Sequence, residues 1–113
     1  MKLLPILFLA VGLQAQTATP PHSVTLAWQD TQNPSGTTYN AYRAAGDCIT
    51  TPPVFAKINL VPITSTNWTD QTVSDGRYCY QVTAVDTAGN ESAPSNSAVA
   101  FVKPFPPTTL TAH

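Results

Sequence analysis

The run GRYCYQVTAVDTAGNESAPS, residues 76–95, decides how the rest of the chain is read. From Tyr78 to Asp86 the large apolar residues fall on even positions, and smaller or polar ones mostly on odd positions. A period of two puts Tyr78, Tyr80, Val82 and Ala84 on one face of an extended strand and Cys79, Gln81 and Thr83 on the other. β-Branched and aromatic side chains dominate, which suits a pleated, half-buried surface. Asp86-Thr87-Ala88-Gly89-Asn90 supplies turn chemistry: Gly89 and Asn90 tolerate a positive φ, and the Asp86 carboxylate can bond its own backbone. Ser95 to Val102 reads as the returning strand, with Ala98, Ala100 and Val102 alternating against Ser97, Val99 and Phe101. Alternation alone does not say which of those two sets faces inward.

Outward from this hairpin the same pattern recurs in shorter pieces. Val24, Leu26 and Trp28 alternate with Ser23, Thr25 and Ala27, so a strand there buries a tryptophan. Asn33-Pro34-Ser35-Gly36 is a loop. Thr37 to Arg43 is a strand with Tyr39 and Ala41 on one face and Asn40 and Tyr42 on the other. Ala44 to Pro53 is a longer connection that holds Cys48. Val54 to Asn59 and Ser65 to Asp70, the latter centred on Trp68, are two more short strands. Thr17 to His22 contains Pro20-Pro21 and can form at most a short edge strand, because proline donates nothing to a ladder. Seven short strands separated by turn signals describe an all-β, seven-stranded two-sheet sandwich. Eleven prolines and no helical periodicity agree with that class.

At 113 residues the chain is one domain. Charged residues make up 10% and the formal net charge is −1, with no clustering, so the electrostatic footprint of a nucleic-acid or acidic-lipid binder is absent. The beginning is a separate matter. Lys2 gives a positive start, Leu3 to Leu13 an apolar core, and Leu13-Gln14-Ala15 a cleavage site before Gln16. Residues 1–15 therefore read as a secretory signal peptide, too short to span a bilayer as a helix. We expect a mature protein starting near Gln16 that is secreted to the extracellular space or cell surface, an oxidising environment, without insertion into the membrane. Residues 16–103 form the sandwich and 104–113 a Pro-rich tail or linker.

The tryptophan of VTLAW (24–28), the tyrosine of TYNAYRA (38–44), the YCYQVTAVD run (78–86) and the following AGNESAPS (88–95) together resemble a fibronectin type III domain of the bacterial extracellular type. The likeness covers residues 20–103. It implies an immunoglobulin-like sandwich of three strands packed on four. It also implies that Tyr78 is the tyrosine-corner residue, its hydroxyl bonding back to upstream backbone. Immunoglobulin domains proper place a cysteine on the strand that here carries Trp28. In the resembling fold the strand 37–43 and the strand starting near Tyr78 are antiparallel neighbours, which brings Cys48 beside Cys79. A chain with two cysteines and a secretory address forms a disulfide by default, so Cys48 and Cys79 are expected to pair. The bridge then pins the 44–53 connection to the outside of the sheet. A redox-active or metal role lacks a Cys-x-x-Cys pair and nearby histidines.

Catalytic chemistry needs converging groups, and the residues offer little. Asp30, Asp47, Asp70, Asp75, Asp86 and Glu91 all fall in or beside loops, where solvation of turns and edges accounts for them. Asp86, Asn90 and Glu91 supply oxygens a Ca²⁺ could use, but their spacing matches no calcium loop. His22 and His113 have no triad partner at a recognisable spacing, and no Gly-x-Ser-x-Gly elbow exists. We therefore expect no enzyme, no cofactor and no metal. Trp28, Tyr39, Trp68, Tyr78, Tyr80 and Val82 are assigned to the core. Tyr42 and Phe105 are the candidates for an exposed aromatic binding surface, and Phe55 and Phe101 are unplaced. The partners expected are other proteins, or the chain itself through the Pro-rich tail, whose PTTLTA (107–112) has strand character. Polysaccharide is the alternative. Asn67-Trp68-Thr69 and Asn90-Glu91-Ser92 are glycosylation sequons in a host that uses them. The turn DTAGNES carries no Arg-Gly-Asp adhesion tripeptide.

Overall fold

The computed structural model describes residues 14–15, 22–49 and 53–112. In chain order its strands are β1 (Gln14–Ala15), β2 (Val24–Ala27), β3 (Thr38–Ala45), β4 (Ala56–Lys57), β5 (Asn67–Asp70), β6 (Gly76–Val85) and β7 (Ala98–Val102). They form two antiparallel sheets, β1-β2-β5 and β4-β3-β6-β7. Among the described residues there is no helix, and none that could cross a membrane.

The sheets meet through the sets that alternation picks out. Val24, Leu26 and Trp28 from β2 and its end face Tyr39 and Ala41 from β3, and Tyr80, Val82 and Ala84 from β6. Ile63 and Val73 close the core from the connections, while Trp68 and Tyr78 pack on it half-buried. Burying a side chain such as Leu26 or Val82 is worth about 1.5–3 kcal/mol. The open question about β7 resolves by the same count: Ala98, Ala100 and Val102 lie against the core, and Val99 and Phe101 face outward.

The turn after β6 uses its residues selectively. Asp86 accepts from the Ala88 amide at 3.0 Å and from the Asn90 amide at 2.8 Å, and Gly89 takes a φ of 89°. Asn90 does not use its tolerance, since no described residue other than glycine has a positive φ. The returning chain then bulges around Pro94 and joins the ladder as a strand only at Ala98, three residues later than expected. Two serines bridge the gap. Ser92 donates its amide to the Ala84 carbonyl and accepts the Ala84 amide on its hydroxyl. Ser95 does the same with Val82, at 2.8 and 2.9 Å. Each serine hydroxyl thus stands in for a ladder carbonyl that the bulge has turned away.

Other boundaries shift for local reasons. β3 runs two residues past Arg43 because Ala44 and Ala45 stay in register with Cys79 and Tyr78. The strand expected over 54–59 is cut to Ala56–Lys57. Beyond it the Asn59 side chain, rather than its backbone, accepts the Ala41 amide at 2.8 Å. The edge position beside β2 is taken by Gln14 and Ala15, opposite Ala27 and Leu26. The edge strand expected at 17–22, apart from His22, and residues 1–13 of the expected signal peptide lie outside the described residues.

Candidate binding cleft on the four-stranded sheet

The outward face of the β4-β3-β6-β7 sheet carries the odd-numbered set of β6. Cys79 is joined to Cys48 by a disulfide with the Cα atoms 5.2 Å apart, so the loop after β3 is held to that face. Cys79 has no exposed surface there. Beyond the bridge, towards Gly76, Arg77 lies over the Phe101 ring at 4.2 Å and binds both Asp47 oxygens at 2.8 Å.

In the other direction along β6 lies an open cleft of about 320 Å³. Tyr42 of β3 and Phe55 ahead of β4 supply aromatic walls, Gln81 and Thr83 of β6 the floor, and Glu91, Ser92 and Pro94 the far side. Tyr42 and Gln81 are direct cross-strand partners, as are Asn40 and Thr83, so the register itself sets their spacing. Glu91 reaches back from the turn, bridging to Val85. One of its oxygens, Oε2, accepts from the Tyr42 hydroxyl, the Thr83 hydroxyl and, at 3.4 Å, the Asn40 amide nitrogen. Burial alone would raise the Glu91 pKa, but those donors and the nearby Lys57 charge hold it below the ordinary value. Burial and the Glu91 carboxylate together raise the Tyr42 phenol, which stays a donor. The cleft is therefore an aromatic-walled hollow around a fixed, ionised carboxylate.

Tyr42, a candidate from the sequence, is in this cleft; Phe105, the other, is not. The Phe105 ring instead packs 4.1 Å from that of His22, whose Nδ1 lies 3.2 Å from Asp75. Glu91 and Phe55 were not singled out as a pair by sequence. The signal was present in the register: a tyrosine and a threonine facing outward on adjacent strands beside a glutamate in the returning turn.

The acids assigned to solvated turns divide. Asp70 has no exposed surface. It accepts from Arg43 at 2.7 Å, from the Tyr80 hydroxyl at 2.8 Å, and from the amide and hydroxyl of Thr72. Its position at the end of β5, facing β3 and β6, makes it a tie between the two sheets rather than an edge residue. Asp86 is also buried, its oxygens committed to the turn. Asp30 accepts from Gln32, Asn33 and, at 2.8 Å, the Tyr39 hydroxyl. Among the described residues no group of three or more His, Cys, Asp or Glu side chains could hold a metal ion. Tyr78 donates its hydroxyl to the Ser74 carbonyl at 3.1 Å.

No protein-family model matches the chain, and no curated protein is similar to it in sequence. Solved structures are similar in shape. The fibronectin type III domain of human fibronectin type III domain containing protein 3 is 16% identical, with a TM-score of 0.61, over 83% of this chain and 86% of that one. Titin module A71 from human cardiac muscle is 25% identical, with a TM-score of 0.60, over 77% of this chain and 83% of the other. A β-1,2-glucanase from Parabacteroides distasonis is 22% identical, with a TM-score of 0.62, over 90% of this chain. This chain spans 13% of the glucanase's length. The fold is the fibronectin type III sandwich.

Proposed function

We propose that the chain is a secreted, non-catalytic interaction module whose binding surface is the outward face of the four-stranded sheet. Residues 1–15 act as signal peptide, 16–103 as the sandwich and 104–113 as a Pro-rich linker. The observation that carries the reading is the cleft at Tyr42 and Glu91, an open concavity with aromatic walls and a carboxylate fixed by three donors. Fixed polar groups set in apolar walls orient a ligand. Asp30, Asp70 and Asp86 each accept several hydrogen bonds from the protein itself, which suits structural roles for these three acids. A disulfide between Cys48 and Cys79 suits an oxidising compartment. Cleavage before Gln16 removes β1 and frees that edge of β2, so the amino-terminal sequence of the exported protein tests the processing directly.

The function is tested by affinity capture from the secreted fraction, identifying a retained protein by mass spectrometry. Retention by the wild-type chain and loss with Tyr42→Ala is expected; retention unchanged by Tyr42→Ala moves the binding surface elsewhere. A second reading, a carbohydrate-binding accessory domain, is favoured by the two rings flanking the cleft. Glycan-array binding that disappears with Tyr42→Ala would select it. Self-association through PTTLTA at 107–112 would add a strand to another subunit's edge. Identical monomeric elution profiles with and without residues 104–113 remove that possibility.

A further inference from the structure

We infer that the cleft receives an arginine side chain of a partner protein, its guanidinium donating to Glu91 and lying against the Tyr42 and Phe55 rings. The inference rests on the interaction-module reading and names the chemistry its site recognises. Glu91 lines the cleft with Oε2 saturated by Tyr42, Thr83 and Asn40, and its Oε1 accepts no hydrogen bond from any described residue. Gln81, on the floor, gives one N–H of its Nε2 to the Ser97 hydroxyl at 2.9 Å, and its carbonyl oxygen accepts no hydrogen bond from any described residue.

The Ser92 hydroxyl is taken up on both sides, accepting from Ala84 and donating to Ala93, and the Thr83 and Tyr42 hydroxyls both donate to Glu91. What the cleft leaves open is chiefly a pair of acceptors, one of them charged, beside two aromatic side chains. Donors with positive charge and a flat, weakly hydrated surface complete such a set, and guanidinium has all three properties. A neutral sugar ring brings hydroxyl donors but no charge to set against the Glu91 carboxylate. Lys57 biases Glu91 electrostatically, yet it lines no part of the cleft and forms no ion pair among the described residues. The three donors on Oε2 keep the carboxylate in place before any ligand arrives, which lowers the ordering cost of binding.

The test is a titration of the ¹⁵N-labelled full chain with the peptide acetyl-Gly-Arg-Gly-amide, followed by amide chemical shifts. Saturable shifts are expected at Asn40, Tyr42, Thr83 and Glu91, weakening with added salt. The citrulline peptide, equal in shape but uncharged, should bind about tenfold more weakly, and Glu91→Gln should cost the arginine peptide a similar factor. Phe55→Ala, which removes no donor to Glu91, should weaken binding about threefold and covers the case in which Glu91→Gln disturbs the turn. Equal binding of the citrulline peptide overturns the inference. So does shift mapping of a neutral β-glucan oligosaccharide to these residues without dependence on Glu91, or the absence of any shift at millimolar arginine peptide. Those outcomes leave the module reading standing, because it is read by partner capture with Tyr42→Ala rather than by the peptide.

Discussion

Asp70 is a carboxylate without exposed surface that ties one sheet to the other. Burial alone would raise its pKa, but the amide and hydroxyl of Thr72, the Tyr80 hydroxyl and Arg43 hold it below the ordinary carboxylate value. Its own burial, and then the same carboxylate, push the Tyr80 phenol far above its usual range, so it remains a donor. A group held low in the folded state binds fewer protons there than in the unfolded chain. Its contribution is present above the unfolded value of about 4 and is lost as pH falls through the folded one. Glu91 and Asp30 shift in the same direction. The urea midpoint should therefore hold level from neutral pH down to about pH 5 and drop below about pH 4, with a shallower drop in Asp70→Asn. Removing one partner is costlier than the bond alone, because the carboxylate stays buried. Arg43→Met should lose about 3 kcal/mol, and Tyr80→Phe about 1.5–3 kcal/mol, in the same unfolding measurement. Composition and turn position assign Asp70 to a solvated edge, whereas it lies on the same face of β5 as Trp68 and points inward. An arginine on the inward alternation of β3, with Tyr39 and Ala41, was the available hint.

At the scale of the element, β6 was legible over 78–85, where the apolar residues of even number leave little choice of face, whereas Gly76 and Arg77 join the strand ahead of the expected start and Asp86 belongs to the turn. β7 was legible in place but not in length. The bulge at Pro94 and the serine hydroxyls that repair it depend on hydrogen bonds across the hairpin, and no periodicity within 92–97 records them. Ser95→Ala leaves the buried Val82 amide without its acceptor and should cost about 1–3 kcal/mol. Amide exchange at Val82 should quicken together with a lower urea midpoint; an unchanged rate would mean that the backbone re-forms the ladder by itself. β4 shortened for a related reason, since the Asn59 side chain takes the place a backbone carbonyl would have held. The cleft sits between these two irregular edges, which is why its residues were visible singly and their grouping was not.

For the molecule as a whole, the two sheets pack through a core largely readable from alternation, and the disulfide fixes a loop to the outside of one of them. The bridge closes a separation of 31 residues. In the chain-entropy description a loop of that size is worth about 3–4 kcal/mol. Cys48→Ala with Cys79→Ala should lower the unfolding free energy by that amount while leaving the far-ultraviolet circular dichroism of a β protein intact. With that loop anchored to the outward face, the proposed recognition site is the cleft on this sheet rather than the opposite sheet. Partner retention compared across two variants tests this most directly. The double variant Tyr42→Ala with Phe55→Ala alters the cleft, and Asn67→Ala alters an exposed position on the other sheet. Loss of the retained protein with the first and full retention with the second is the predicted result; equal retention by both variants would contradict it.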